Sequence, residues 1–283
     1  MDERDLGARL QAARLAAGLT QQALCQHAGL SYSTLTKIER GAIKSPSIFT
    51  IQRIASAVGV NLDTLLGTVA AGPAAKPKLR ARSGVRFVYF DINGCLVRFF
   101  NGAFTRIAVD TGASADLVER TFWHFNDQVC RGELTLEQFD DKLAQALGVP
   151  SMDWMTYYLE AIEPMPAIDE LVRWACEHYS VGLISNIMPG LIDALRAHGL
   201  LPDVPYDAIV DSSEVGAIKP EKKMFEAATA AAHCPAADIL LIDDARPNLM
   251  AAEKFGWHVL WFDGSRPDAA IAAVRTALEP EES

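Results

Sequence analysis

The chain has 283 residues, half of them hydrophobic and 22% charged, with a formal net charge of −10 at pH 7. That length suits two folded cores, one of roughly 60 to 70 residues and one of roughly 200. The acidic start Met1-Asp2-Glu3-Arg4-Asp5 excludes a signal peptide and no apolar run approaches a membrane span, so a cytoplasmic location is expected. Cysteines 25, 95, 130, 176 and 234 form no Cys-x-x-Cys pair, which reads as thiols of a reducing compartment without a zinc site.

Residues 5–66 carry short amphipathic helical patterns. Leu6, Leu10 and Ala13 share one face of the first. Thr20 is placed to cap a second over 21–28, Gly29 breaks it, and a third follows over 31–40 until Gly41 stops it. Two helices joined by a short glycine turn make a helix-turn-helix unit. The elements Thr20-Gln21-Gln22, Ala28-Gly29-Leu30-Ser31 and Lys37-Ile38-Glu39-Arg40-Gly41 closely resemble the Xre/Cro/phage-repressor family. The resemblance implies double-stranded operator DNA as partner, bound by a homodimer, with the second helix of the unit in the major groove. Tyr32, Ser33, Thr36 and Lys37 are then the candidates for base edges, and Gln21 and Gln22 for phosphates. Leu30, Leu35 and Ile38 belong to the core by spacing, and Glu39 is expected to pair with Arg14 because DNA phosphates repel a carboxylate. The alternative is a helical bundle that contacts only protein.

Charge separates the two parts of the chain. Residues 1–86 hold 12 Lys and Arg against five Asp and Glu, a formal +7, which leaves −17 on residues 87–283. The boundaries that follow are a DNA-binding domain over 1–67, a basic linker over 68–84 and a second domain over 85–283. The stretch 68–86 contains Lys76, Lys78, Arg80, Arg82 and Arg86 and no acid. It reads either as a tether that touches phosphate backbone or as a solvated linker.

From residue 85 onward, apolar runs end in polar groups. Residues 85–90 lead into Asp91, 181–184 into Ser185 and Asn186, 208–210 into Asp211, 239–242 into Asp243 and Asp244, and 258–262 into Asp263. Helical patterns lie between them, which predicts an α/β fold with a parallel sheet, helices on both faces and ligands at the carboxyl ends of the strands. Four pieces in this order, Asp91-Ile92-Asn93-Gly94, Ser185-Asn186, Lys219-Pro220 and Asp243-Asp244 followed by Asn248, resemble the haloacid dehalogenase (HAD) superfamily from about residue 85 to the C-terminus. The resemblance implies a Rossmann-like sheet with a helical cap, here over about 99–168. Within the cap segment Trp123, His124 and Arg131 stand out, but aromatic residues at helical spacing are more often core than ligand contacts. No specificity role follows for them.

Phosphoryl transfer needs a nucleophile, neutralisation of the phosphoryl oxygens and a metal held by hard oxygen ligands. The resemblance supplies Asp91 as nucleophile, with Asp91, the Asn93 carbonyl, Asp243 and Asp244 as ligands of Mg2+. Ser185 and Asn186, ahead of a helix beginning near Pro189, and Lys219 would cradle phosphate. Taken singly, Asp243 and Asp244 also read as a helix cap and its neighbour, Lys219-Pro220 as a helix start, and Cys95 as a packing residue. Asn93 departs from the commonest phosphatase pattern, in which an aspartate there moves protons. Binding without efficient turnover is therefore expected, because a lost general acid or base costs roughly 10²- to 10⁴-fold. Three readings follow: a DNA-binding regulator that senses a phosphorylated ligand, a working Mg2+-dependent phosphatase carrying a DNA-binding domain, and an aspartyl-phosphate switch.

Overall fold

The computed structural model describes residues 6–43, 46–60, 78–98 and 100–280, which fall into two compact units within Met1–Ala75 and Lys76–Ser283. The expected domain end at 61–67 and the first part of the linker, 68–77, lie outside the described residues.

The first unit contains helices α1 (Leu6–Ala16), α2 (Gln21–Ala28), α3 (Tyr32–Glu39) and α4 (Ile48–Val58). Thr20, Ser31 and Ser47 each accept a backbone N–H with the side-chain oxygen, which sets where α2, α3 and α4 begin. Gly29 ends α2 with φ 59°, a left-handed conformation that suits glycine at the turn into α3. Leu10, Leu24, Leu35, Ile38, Ile51 and Ile54 fill the core, with Leu30 half-buried against it. Arg14 Nε donates to Glu39 Oε1 at 2.7 Å inside this core, as the sequence predicts. Arg14 also reaches the Leu19 carbonyl at 2.8 Å, so one guanidinium fastens α1 to both α3 and the α1–α2 turn.

In the second unit, β1 (Phe87–Phe90), β2 (Ser180–Ser185), β3 (Ala208–Asp211), β4 (Ile239–Asp243) and β5 (His258–Trp261) form one parallel sheet in the order β3-β2-β1-β4-β5. Side chains alternate across it. Val88, Phe90, Leu240 and Ile242 join one apolar cluster, while Phe87, Tyr89, Ile239 and Leu241 join the cluster on the other face. The chain moves outward from β1 to β3 and then returns to place β4 on the other side of β1. That reversal opens a crevice at the carboxyl ends of β1 and β4.

Helices α5 (Asn101–Thr111), α6 (Ala115–Cys130), α7 (Leu136–Leu147) and α8 (Trp154–Ala161) occupy the expected cap segment. The sheet is flanked by α9 (Pro166–His178), α10 (Leu191–Ala197), the short α11 (Ser212–Val215), α12 (Lys222–Ala232), α13 (Arg246–Lys254) and α14 (Pro267–Ala277). Cys95 is buried and its thiol points at the Ile242 carbonyl, in keeping with a packing role.

The linker expected over 68–84 does not extend that far. Residues 78–84 pack on the second unit: Ala81 is buried and pairs with Pro280, Leu79 N–H donates to the His178 carbonyl at 2.6 Å, and Arg82 N–H donates to the Glu279 carbonyl at 2.9 Å. Their cations have partners in the same unit. Lys78 Nζ donates to the Tyr179 carbonyl at 2.9 Å, and Arg80 and Arg86 both approach Asp238. A basic composition therefore marks a strap here, because these cations neutralise acids and cap carbonyls of the domain itself.

Removing one partner of a buried ion pair leaves the other unpaired, at a cost of about 3–5 kcal/mol. Arg14→Ala is expected to lower the opening free energy of α1 and α3 amides by that amount, read by hydrogen exchange on the full chain. A loss below about 1 kcal/mol, the range of exposed pairs, would contradict the burial argument.

Candidate functional site

Three strands deliver their terminal residues to one point. Asp91 follows β1, Ser185 ends β2 and Asp243 ends β4. Lys219 enters from the loop between α11 and α12, held by Asn186: Lys219 N–H donates to Asn186 Oδ1 at 2.6 Å, and Asn186 Nδ2 donates back to the Lys219 carbonyl at 2.8 Å. The Lys219 ammonium, on a residue 2% exposed, lies 2.6 Å from Asp243 Oδ2, 3.0 Å from Asp91 Oδ1 and 3.0 Å from the Ile184 carbonyl. An ammonium has three protons and here each has an acceptor. The family resemblance implies that Lys219 helps to cradle phosphate; in the structure its ammonium is held by the Asp91 and Asp243 carboxylates.

Asp91 Oδ1 also accepts Ser185 Oγ–H at 2.8 Å and the Ile92 N–H at 2.7 Å. Asp243 accepts the Ala245 N–H at 2.8 Å and both its oxygens lie 3.1 Å from Asn248 Nδ2. Carboxylate oxygens of Asp91, Asp243 and Asp244 all lie within 4.8 Å of one another. Three carboxylates around one ammonium leave excess negative charge. Burial, partly offset by Lys219 and reinforced by Asp243 and Asp244, pushes the Asp91 carboxyl up to about 6. Burial and then Asp243 raise Asp244 in the same direction. For Lys219 burial opposes the charge, but Asp243 and Asp91 outweigh it and hold its pKa above the ordinary lysine value.

The chain makes room for this cluster at Gly94. A Cβ there would meet Asp244 Oδ2 at 2.2 Å, and φ is +86°. Beside it, Asn93 Oδ1 accepts the Tyr158 hydroxyl at 2.7 Å, a bond from α8 of the cap segment to the loop after β1. Burial raises the Tyr158 pKa far above its ordinary value, so this phenol stays a neutral donor.

Above these groups is a cavity of about 400 Å³ lined by Asp91, Asn93, Ser185, Asn186, Lys219 and Asp244 and, from the cap segment, by Phe100, Phe122, Trp123, Trp154 and Tyr158. Of the three cap residues singled out in the sequence, only Trp123 lines it. His124 packs its ring against Phe125, and Arg131 binds Glu221 at 2.6 Å. Next to Asn186, the amide of Ile187 donates to Ser212 Oγ at 2.9 Å. Tyr158 and Trp154 escaped the sequence reading, because nothing in the stretch 154–161 distinguishes a cavity-facing ring from a core ring.

In the first unit Gln22, Tyr32, Ser33 and Lys37 are exposed, whereas Gln21 and Thr36 are half-buried. Gln21 Nε2 donates to Glu39 Oε2 at 2.7 Å and Thr36 Oγ–H to the Tyr32 carbonyl at 2.9 Å, so both polar groups already have partners within the unit.

Residues 10–65 match the helix-turn-helix family. No curated protein sequence matches the chain. A HAD-like family hydrolase from Porphyromonas gingivalis is 20% identical, covering 68% of this chain and 98% of its own, with a TM-score of 0.57. A HAD family enzyme from Bacteroides thetaiotaomicron, solved with magnesium and inorganic phosphate, is 20% identical over 64% of this chain and 96% of its own, at a TM-score of 0.51. An L-2-haloacid dehalogenase from Xanthobacter autotrophicus, with chloropropionic acid covalently bound, is 17% identical over 69% of this chain and 85% of its own, at 0.50. The chain thus carries a helix-turn-helix segment over residues 10–65, and the remainder has the fold of the HAD-like hydrolases.

Proposed function

We propose that the protein is a sequence-specific DNA-binding transcriptional regulator, acting as a homodimer, whose α/β domain binds a phosphorylated small molecule together with Mg2+. The observation that carries this reading is the conjunction of an acidic cluster with Asn93, whose Oδ1 accepts the Tyr158 hydroxyl. The cluster has the donor set of a hard divalent cation. Its excess negative charge, and the space kept for Asp244 by Gly94, fit such an ion. Asp91, Asp244 and the Asn93 carbonyl would hold it, with Asp243 behind them. Bound there, Mg2+ would supply positive charge to phosphate oxygens.

The chain's own residues then divide the work. Ser185 and Lys219 hold Asp91 in one orientation. Asn93 keeps its amide proton inventory fixed, so it neither protonates a leaving oxygen nor activates water. The support for a magnesium and phosphate site also comes from the B. thetaiotaomicron structure, which was solved with both. In the first unit the exposed Tyr32, Ser33 and Lys37 on α3 are the base-reading residues of this proposal, with Gln22 at the phosphates.

Calorimetry with Mg2+ alone is expected to show binding that Asp244→Asn weakens strongly. Gly94→Ala is expected to do the same without altering any ligand, because its Cβ falls on Asp244. Undiminished Mg2+ binding in both variants would leave the carboxylates with a structural role only.

Asn93→Asp restores a proton carrier while keeping the oxygen that Tyr158 uses. With Mg2+ and an aryl phosphate, turnover is expected to rise by roughly 10²-fold or more. Wild-type turnover already near 10 s⁻¹, on the order of an ordinary enzyme, would replace the regulator-sensor reading by that of a working phosphatase.

Lys37→Ala is expected to weaken operator binding and to flatten its dependence on salt by roughly one counterion per subunit if Lys37 meets phosphate. If it meets a base, about 1–3 kcal/mol of discrimination is lost at that position instead. Footprints and salt slopes unchanged by the substitution would remove α3 from the DNA interface.

A further inference from the structure

The two sides of the cavity differ in chemistry. On the side of the strand ends are Asp91, Ser185, Lys219 and Asp244; on the cap side are five aromatic rings. Those rings are locked together. Phe122 lies 4.5 Å from Trp154 and 5.0 Å from Trp123, and Phe100 lies 5.2 Å from Tyr158.

Polar groups on the cap side are few and mostly engaged. The Tyr158 hydroxyl is held by Asn93, and Asn126 accepts the Cys130 thiol at 3.6 Å while its Nδ2 reaches Asp127 Oδ1 at 3.4 Å. Trp154 is the exception: it is 1% exposed and its Nε1–H has no hydrogen-bond partner. A buried donor left unpaired is costly, and Trp154 belongs to the lining of the cavity. Charge narrows the ligand further. Among the described lining residues Lys219 is the sole cation, and Asp91 and Asp243 already surround it.

We propose that the organic part of the phosphorylated ligand is a flat, uncharged ring with one hydrogen-bond acceptor, seated among Phe100, Phe122 and Trp123 with Trp154 Nε1–H donating to that acceptor. This rests on the phosphate reading of the same site. A flat ring stacks on aromatic faces and needs few polar partners. A sugar, by contrast, would lose the hydration of several hydroxyls against this wall. A second anionic group would meet Asp91, Asp127 and Asp244 with no free cation among the described lining residues.

The test is calorimetry on the full chain with Mg2+ and four kinds of probe: inorganic phosphate, benzylphosphonate, the pyridylmethylphosphonate isomers and glucose 6-phosphate. At mildly alkaline pH the pyridine is neutral and accepts a hydrogen bond. Benzylphosphonate is expected to bind more tightly than inorganic phosphate, one pyridyl isomer about three- to tenfold more tightly again, and glucose 6-phosphate no more tightly than phosphate. Trp123, 45% exposed, can be truncated without opening the core. Trp123→Ala should cut the preference for benzylphosphonate over phosphate by about three- to tenfold. Trp154→Phe keeps a ring and removes the N–H, so the pyridyl-to-benzyl ratio should fall to about one; if that variant does not fold, the wild-type ratios and Trp123→Ala decide. A glucose 6-phosphate affinity equal to the aryl probes, or a preference unaltered by Trp123→Ala, overturns this inference alone. Failure of inorganic phosphate and every phosphonate to bind overturns the phosphate reading and this inference with it.

Discussion

Lys219 puts an ammonium where the ends of β1, β2 and β4 converge, and the arrangement of that region follows from what it takes to keep the charge there. Moving an ammonium out of water costs several kcal/mol even after relaxation, and only good geometry on every proton offsets it. Asp91, Asp243 and the Ile184 carbonyl provide that geometry, one from each strand end. The backbone of Lys219 is fixed in turn by Asn186, which follows β2. The lysine therefore sets the spacing of the strand termini as much as their charge. Asp243, fully enclosed and tied to Lys219, Ala245 and Asn248, is the member whose removal would leave the ammonium most exposed to its own desolvation.

The aromatic wall acts on this charge cluster from a distance. Phe100, Phe122, Trp154 and Tyr158 are nearly fully buried and line the same cavity as Asp91 and Asp244. A dry, weakly polarisable boundary strengthens every electrostatic interaction beside it. Burial also leads the causes that raise Asp91 and Asp244.

How much could be read from the sequence depended on the range of the interaction. The strands were legible because buried parallel strands are apolar runs, and the polar residues that end them stood out against those runs. The first unit was legible through caps, which act within a few residues: Thr20 and Ser31 bond to amides three positions on. Even the Arg14–Glu39 pair followed from the question of what else a carboxylate beside DNA would do. The contacts that stayed hidden join residues far apart in the chain. Tyr158 meets Asn93 across 65 positions, and Lys78 meets the carbonyl of Tyr179 across 101. Neither has a periodicity or a spacing to betray it. For the same reason the strap over 78–84 looked like linker, since composition records charge and not the acids that will face it.

The bond between Tyr158 and Asn93 gives one side chain two separable duties. Its oxygen is a mechanical fastening between the cap segment and the loop after β1; its nitrogen is what denies it proton chemistry. Aspartate offers the same oxygen in nearly the same shape. The fastening is therefore indifferent to which of the two residues stands there, while the chemistry is not. The codons of asparagine and aspartate differ by a single base, so on the proposed reading a lineage can pass between holding a phosphorylated ligand and consuming it without first dismantling the bond that closes the cavity.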